Sequence, residues 1–290
     1  MKDLVGKKFK ETQVPIQQLY GLYAMEQLIV KLSKDEIANY LIVKGGFLLA
    51  THLGVQNRVT RDLDFTVQGF YLNEDTLRDF IDVIEQRDEK DPSYFECKTI
   101  KITRENFDYE GYNLRLDYIN DKTKIPIHID LTSGEKLVSI HYQKPFQSIF
   151  TDETYQMSSY EIEQVLVDKL YTLLAYGSID DTNSRMKDYY DLYLLTKTAS
   201  SLDLSKVNKG LQKMMQQRDL VVPSEQYQPI IESLMVSPKQ NQMWAQYCSK
   251  NMYAADLSFD EVMTQVRMFA QDLIKQQQLE HTKKQSDLEI

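Results

Sequence analysis

Two aspartates with a single leucine between them, Asp62 and Asp64 in the segment RDLDFTV, carry the sharpest chemical signal in this chain. Leu63, Phe65 and Val67 alternate with Asp62, Asp64 and Thr66, so an extended backbone puts both carboxylates on one face, roughly 7 Å apart. Carboxylates that close repel unless something cationic lies between them, and a hard divalent ion, Mg2+ or alternatively Mn2+, is the usual partner. The competing reading is a solvated polar face on an edge strand; the apolar flanks weigh toward metal. KIPIHIDLTSGE offers a third oxygen donor with the same alternation, because Ile125, Ile127, Ile129 and Leu131 mark one face while His128 and Asp130 mark the other. Asp130 is the candidate third ligand or base, with Asp117 in NLRLDYIN as its competitor.

Just upstream, LIV followed by Lys44, Gly45, Gly46 and FLLATHL reads as a short strand turning into a helix through two residues that lack side chains. Without Cβ atoms a phosphate can approach the backbone, where the helix start offers amide donors and the positive end of its dipole. By itself a Gly-Gly pair marks a tight turn just as well.

The later half holds charges where an apolar stripe should be. At 100° per residue, Lys169 in EIEQVLVDKLYTLL falls among Ile162, Val165, Leu166 and Leu173, and a buried ammonium needs an anion unless its stem lets it reach water. In RMKDYYDLYLL, Asp188 and Asp191 are three apart and share a face with Leu192 and Leu195. Lys169 or a metal site would partner these acids, and an ion pair between helices accounts for Lys169 and Asp188 almost as well as a ligand does. Arg185 and Lys187 are candidates for phosphate contacts.

The elements that must position these groups divide the chain. Eight of ten glycines and four of seven prolines precede Ser148. That half shows strand patterns at Leu41 to Val43, Asp62 to Val67, Tyr94 to Ile102, Tyr112 to Ile119 and Ile125 to Leu131, with helices at Ile16 to Leu32 and Glu74 to Glu85. Beyond about Met157 the pattern is helical, with capping boxes expected at Ser158 with Glu161 and at Ser258 with Glu261. The expected fold class is α/β (α+β), with domains at 1–155 and 156–290. Met214, Met215, Met235, Met243, Trp244 and Met252 read as helical core, and the tyrosines near Tyr189 as packing residues.

With 42% hydrophobic and 27% charged residues the 290-residue chain has ordinary globular composition. It has no apolar run long enough for a membrane span and no signal-peptide core at its N-terminus, so the expectation is a cytoplasmic protein without a membrane partner. Cys97 and Cys248 with four histidines do not suggest a zinc cluster. A formal charge of −9 argues against broad nonspecific nucleic-acid binding and confines any such contact to a local basic surface.

Taken in order, KGGFLL, RVTRDLDF, VLVDKL and RMKDYYDLY, spanning Lys44 to Tyr193, resemble the AbiEii family of abortive-infection toxins. These are the toxin halves of toxin–antitoxin pairs; they include the MenT toxins and share the nucleotidyltransferase fold of polymerase-beta type. The resemblance implies a mixed sheet with flanking helices, then a helical domain contributing to the active-site cleft. It implies a phage-defence toxin that uses Mg2+ to transfer a nucleotide from an NTP to RNA, most plausibly the tRNA 3′ end. By the same resemblance Gly45 and Gly46, with Lys44, hold the triphosphate, Asp62 and Asp64 bind metal, and Thr60 stands where relatives have Ser or Thr. Lys169 meets nucleotide phosphate, Asp188 belongs to the active site, and Arg58 and Lys187 line the nucleotide and acceptor surface. The cognate antitoxin would act at transcription or by modifying the toxin. A GTP-binding sensor without transfer, or a protein acceptor, are the alternatives. Gly46 departs from the Gly-Ser turn of many nucleotidyltransferases, which leaves only backbone donors there.

Overall fold

A computed structural model of the chain describes residues 1–103, 111–134, 137, 139–199 and 201–288, with helix side chains as far as residue 283. It divides into two units, one of Met1–Glu135 with Ile140–Tyr160 and one of Lys136–Ser139 with Glu161–Ile290.

In the first unit, alternation in the sequence becomes a mixed seven-stranded sheet among the described residues. Its strands are β1 (Leu41–Lys44), β2 (Asp62–Val67), β3 (Tyr94–Thr103), β4 (Gly111–Asn120), β5 (Thr123–Ser133), β6 (Ile140–Gln147) and β7 (Thr154–Tyr160), in the order β3-β4-β5-β2-β1-β7-β6. β2 pairs parallel with β5 and antiparallel with β1, while β1 pairs parallel with β7. Ile125, Ile127, Ile129 and Leu131 of β5 are buried on one face, and the intervening His128 and Asp130 are half-buried on the other. The helices are α1 (Lys2–Thr12), α2 (Ile16–Leu32), α3 (Gly45–Leu53) and α4 (Glu74–Glu85). Asn73 caps α4 by accepting from the amides of Asp75 and Thr76, both at 3.0 Å, and Leu77, Phe80 and Ile84 supply its buried stripe. On α2 the buried Glu26 carboxylate accepts from the Ile149 amide at 2.6 Å and the Ser148 hydroxyl at 2.8 Å, which ties down the link between β6 and β7. Burial pushes the Glu26 pKa up.

The second unit contains α5 (Ile162–Gly177), α6 (Met186–Thr198), α7 (Leu204–Gln217), α8 (Tyr227–Val236), α9 (Pro238–Lys250) and α10 (Phe259–Leu288). Its core is drawn from Leu166, Leu170, Tyr189, Leu192, Val262, Val266 and Leu273, all fully or almost fully buried. The Ser258 box forms as expected: Ser258 Oγ accepts from the Glu261 amide at 3.1 Å, and Glu261 accepts from the Ser258 amide at 3.2 Å. The tyrosines Tyr189, Tyr190 and Tyr193 are buried, as read. No helix among the described residues is long and apolar enough to cross a membrane.

Two expectations are corrected. Ser158 does not cap a helix; it lies inside β7 opposite Ile42, and α5 starts at Ile162 after Glu161, because the backbone of this segment is spent on the parallel ladder with β1. The methionine stripe is not uniformly core: Met215 and Trp244 are buried, but Met252 is 81% exposed.

Gly210 on α7 shows how closely two helices of this unit meet, since a Cβ there would lie 2.5 Å from Cγ2 of the buried Val167 on α5. Alanine would gain up to about 1 kcal/mol of helix propensity but incur roughly 1–3 kcal/mol of overpacking. Gly210→Ala should therefore lower the urea midpoint, and a cycle with Val167→Ala should give a favourable coupling of about 1 kcal/mol. Independent, additive effects would show that the helices move apart freely.

Candidate active site

The turn from β1 into α3 is shaped by its neighbours. Gly45 has φ +67, in the left-handed region, and a Cβ there would overlap the Asp64 carboxylate. A Cβ on Gly46 would lie 2.5 Å from Thr60 Oγ1 and 3.5 Å from an Arg58 guanidinium nitrogen. Both glycines are thus required before any ligand is considered, by side chains entering β2. Thr60 Oγ1 donates to the Asp62 carbonyl at 3.1 Å and accepts from the Asp62 amide at 3.3 Å, fixing the start of that strand. Arg58 is buried and donates to the Val59 carbonyl.

Strand registers then lay a polar row straight across the sheet. Lys44 of β1 stands opposite Asp64 of β2, Asp64 opposite Asp130 of β5, and Asp130 opposite Asn113 of β4. One rung away, Asp62 stands opposite His128 and His128 opposite Arg115. Asn113 Nδ2 donates to Asp130 Oδ1 at 2.7 Å, which fixes that carboxylate. Lys44 Nζ donates to Thr132 Oγ1 at 2.5 Å and lies 5.8 Å from the Tyr160 ring centre, while the Tyr160 and Thr66 hydroxyls are 2.8 Å apart. Asp117, the rival to Asp130, is instead buried with Lys124 at 2.8 Å and Lys98 at 3.9 Å.

Among the described residues, no three carboxylate, imidazole or thiolate groups converge closely enough to hold a metal by themselves. What Asp62, Asp64 and Asp130 present is a face of hard oxygen donors, two on one strand and one abreast on the next. That donor set fits Mg2+, which takes one or two carboxylates and completes its shell with water and substrate phosphate. Asn113 was not singled out from sequence. The β4–β5 hairpin, closed at Asp121 and Lys122 with Asn120 opposite Thr123, is the signal that would have placed it beside Asp130.

In the second unit Lys169, Asp188 and Asp191 form one ion cluster. Lys169 Nζ lies 2.8 Å from Asp188 Oδ1 and 2.7 Å from Asp191 Oδ2, and Arg185 comes within 3.9 Å of the other Asp188 oxygen. Asp191 is wholly buried and the other two nearly so. Burial alone would push the Lys169 pKa down; the charges of Asp191 and Asp188 outweigh it and hold the ammonium above its ordinary value. A lysine raised in this way contributes stability that is fully present below the unfolded lysine pKa and is lost only as pH rises through the folded one. Two of its three N–H donors are committed to the chain's own carboxylates. Lys187 is exposed at the start of α6, one residue from Asp188. Of the expected site residues, then, Lys44, Gly45, Gly46, Arg58, Thr60, Asp62, Asp64 and Asp130 gather in the first unit, and Lys169, Lys187 and Asp188 in the second.

The sequence matches the family described as nucleotidyl transferase AbiEii toxin, Type IV TA system, over residues 27–265. No curated protein is similar enough to match. Among solved structures, JHP933 from Helicobacter pylori superposes with a TM-score of 0.55 at 15% identity, covering 96% of this chain and 100% of its own. A second H. pylori structure, provisionally named a nucleotidyltransferase, gives 0.52 at 15% identity over 91% of this chain and 97% of its own. At these identities the likeness is one of fold.

The ion cluster generates a stability prediction. Lys169→Met would leave two buried carboxylates without their counter-charge, a loss of about 3–5 kcal/mol. Adding Asp191→Asn to that variant should recover part of it in urea unfolding at neutral pH. An unchanged midpoint for Lys169→Met would mean that the cluster contributes nothing to the fold.

Proposed function

Because the chain belongs to the AbiEii family of nucleotidyl transferase toxins of type IV toxin–antitoxin systems, we propose that it transfers a nucleotidyl group from a nucleoside triphosphate to the 3′ end of an RNA, with tRNA the foremost acceptor. The observation that carries this reading is the row of Lys44, Asp64, Asp130 and Asn113 beside the Gly45-Gly46 turn. On this reading it would supply oxygen donors for a divalent ion, a cation for phosphate and a carboxylate for proton transfer.

Mg2+ bound by Asp62 and Asp64 would supply positive charge to the triphosphate. Lys44 and the amides at the start of α3 would orient the phosphate oxygens and stabilise charge building on the leaving pyrophosphate. Asp130, held by the bond from Asn113 to its Oδ1, would accept the proton of the attacking hydroxyl. As that hydroxyl oxygen bonds to the α-phosphorus, the bond to the bridging oxygen breaks and pyrophosphate departs. Positioning and electrostatics would supply most of the rate. The family implies a cognate antitoxin, acting on this reading at transcription or by modifying the toxin.

The test is incubation with α-labelled nucleotides, Mg2+ and total RNA. Label should appear on RNA, and Asp64→Asn, which keeps the shape against Gly45, should reduce transfer by about 100-fold or more while the unfolding midpoint stays near that of the parent. Full transfer by Asp64→Asn would refute the metal assignment. Label on polypeptide would establish a protein acceptor, shortened RNA a nuclease, and bound but untransferred nucleotide a sensor.

A further inference from the structure

The second unit carries a cleft of about 590 Å³ between the start of α6 and the C-terminal half of α9, a volume in the range of small-ligand sites. Arg185, Lys187 and Lys250 line it, with Asp188 as the one acid. That acid is already paired with Lys169 at 2.8 Å, so the cleft has a surplus of positive charge in a chain of formal charge −9. Lys187 and Lys250 are exposed and make no ion pair among the described residues. Nothing in the ion cluster or the first-unit site calls for Lys250.

Tyr247 gives the cleft an aromatic wall. Its ring packs against Trp244 at 5.4 Å and Tyr190 at 6.3 Å between centres, and its hydroxyl is 3.0 Å from that of Tyr253. A ring fixed by its neighbours in this way can receive a flat base with little further loss of freedom. Cations that follow a backbone, beside an aromatic face for a base, are the elements of single-strand nucleic-acid binding. A duplex would not enter a recess of this size.

We propose that this cleft seats the single-stranded end of the acceptor RNA, with Arg185, Lys187 and Lys250 on its phosphodiesters and Tyr247 against a base. The proposal rests on the reading of the chain as an RNA nucleotidyltransferase and names where the acceptor is held.

The test measures binding of a fluorescein-labelled single-stranded oligoribonucleotide to the full chain by anisotropy, without NTP or metal, as salt is varied. Lys250→Glu should weaken binding about tenfold or more at low salt, and Lys250→Ala should reduce the log–log salt slope by about 0.7. Gln246→Lys, an exposed change in the same cleft, should tighten binding several-fold. Nucleotide affinity of Lys250→Glu should match the parent. The proposal is overturned if the parent binds no RNA, if Lys250→Glu and Gln246→Lys both bind RNA like the parent, or if nucleotide affinity falls by the same factor as RNA affinity. Displacement of the RNA by polyglutamate at equal charge concentration would also overturn it, in favour of an acidic protein. Its failure is distinct from failure of the transferase reading, since that is judged by label transfer in Asp64→Asn whereas this assay requires no transfer.

Discussion

The fold of the first unit turns on one steric constraint: the side chains of Asp64 and Thr60 occupy the space that Cβ atoms on Gly45 and Gly46 would need. Because Gly45 also adopts φ +67, the chain can leave β1 and enter α3 at this angle only with glycine there. The result is that the first turn of α3 is brought against the strand that carries Asp62 and Asp64. A serine at position 46, as in many nucleotidyltransferases, would collide with Thr60, so the Gly-Gly turn and the threonine are two sides of one packing solution. Thr60 then aligns the start of β2 through its bonds to Asp62.

From this constraint follows the chemistry of the sheet. With β2 held against α3, its antiparallel register with β1 places Lys44 opposite Asp64, and its parallel register with β5 places Asp130 on the other side. A one-residue slip in either ladder would turn the acids to the opposite face, where Leu63, Phe65, Ile129 and Leu131 are buried. The apolar core therefore specifies the polar row: the same alternation that buries the leucines and isoleucines aligns the carboxylates.

How much of this was legible in the sequence depends on whether a segment's pattern is local. The bounds of α2, β2 and α4 follow directly from periodicity, and the faces of β2 and β5 were read correctly. β6 and β7 were missed. IHYQKPFQ is a mostly exposed edge strand containing a proline, and TYQMSSY is buried through hydroxyl-bearing residues, so neither shows apolar alternation. Ser158 with Glu161 matched a capping box because the motif is short, and the sheet outcompeted it. The role of the glycines was visible only in part. Their lack of side chains suggested room for a ligand; that Asp64 and Thr60 also leave no space for a Cβ there shows only in the folded chain. Asn113 could be found only by pairing β4 with β5.

The ion cluster in the second unit bears on what Lys169 can do. An ammonium between two carboxylates at 2.7 and 2.8 Å leaves the trio with a net negative charge, with Arg185 3.9 Å from Asp188 as a further cation. Burying such a trio often costs as much as, or more than, burying an apolar one of the same volume. On an otherwise apolar stripe the cluster fixes the position of the nearly buried Asp188, with the wholly buried Asp191 as the deeper anchor. Lys169 thus spends two of its three N–H donors on carboxylates of its own chain. The exposed Lys187 and Lys250 make no ion pair among the described residues, so their charge meets solvent while that of Lys169 is met inside the unit by carboxylates.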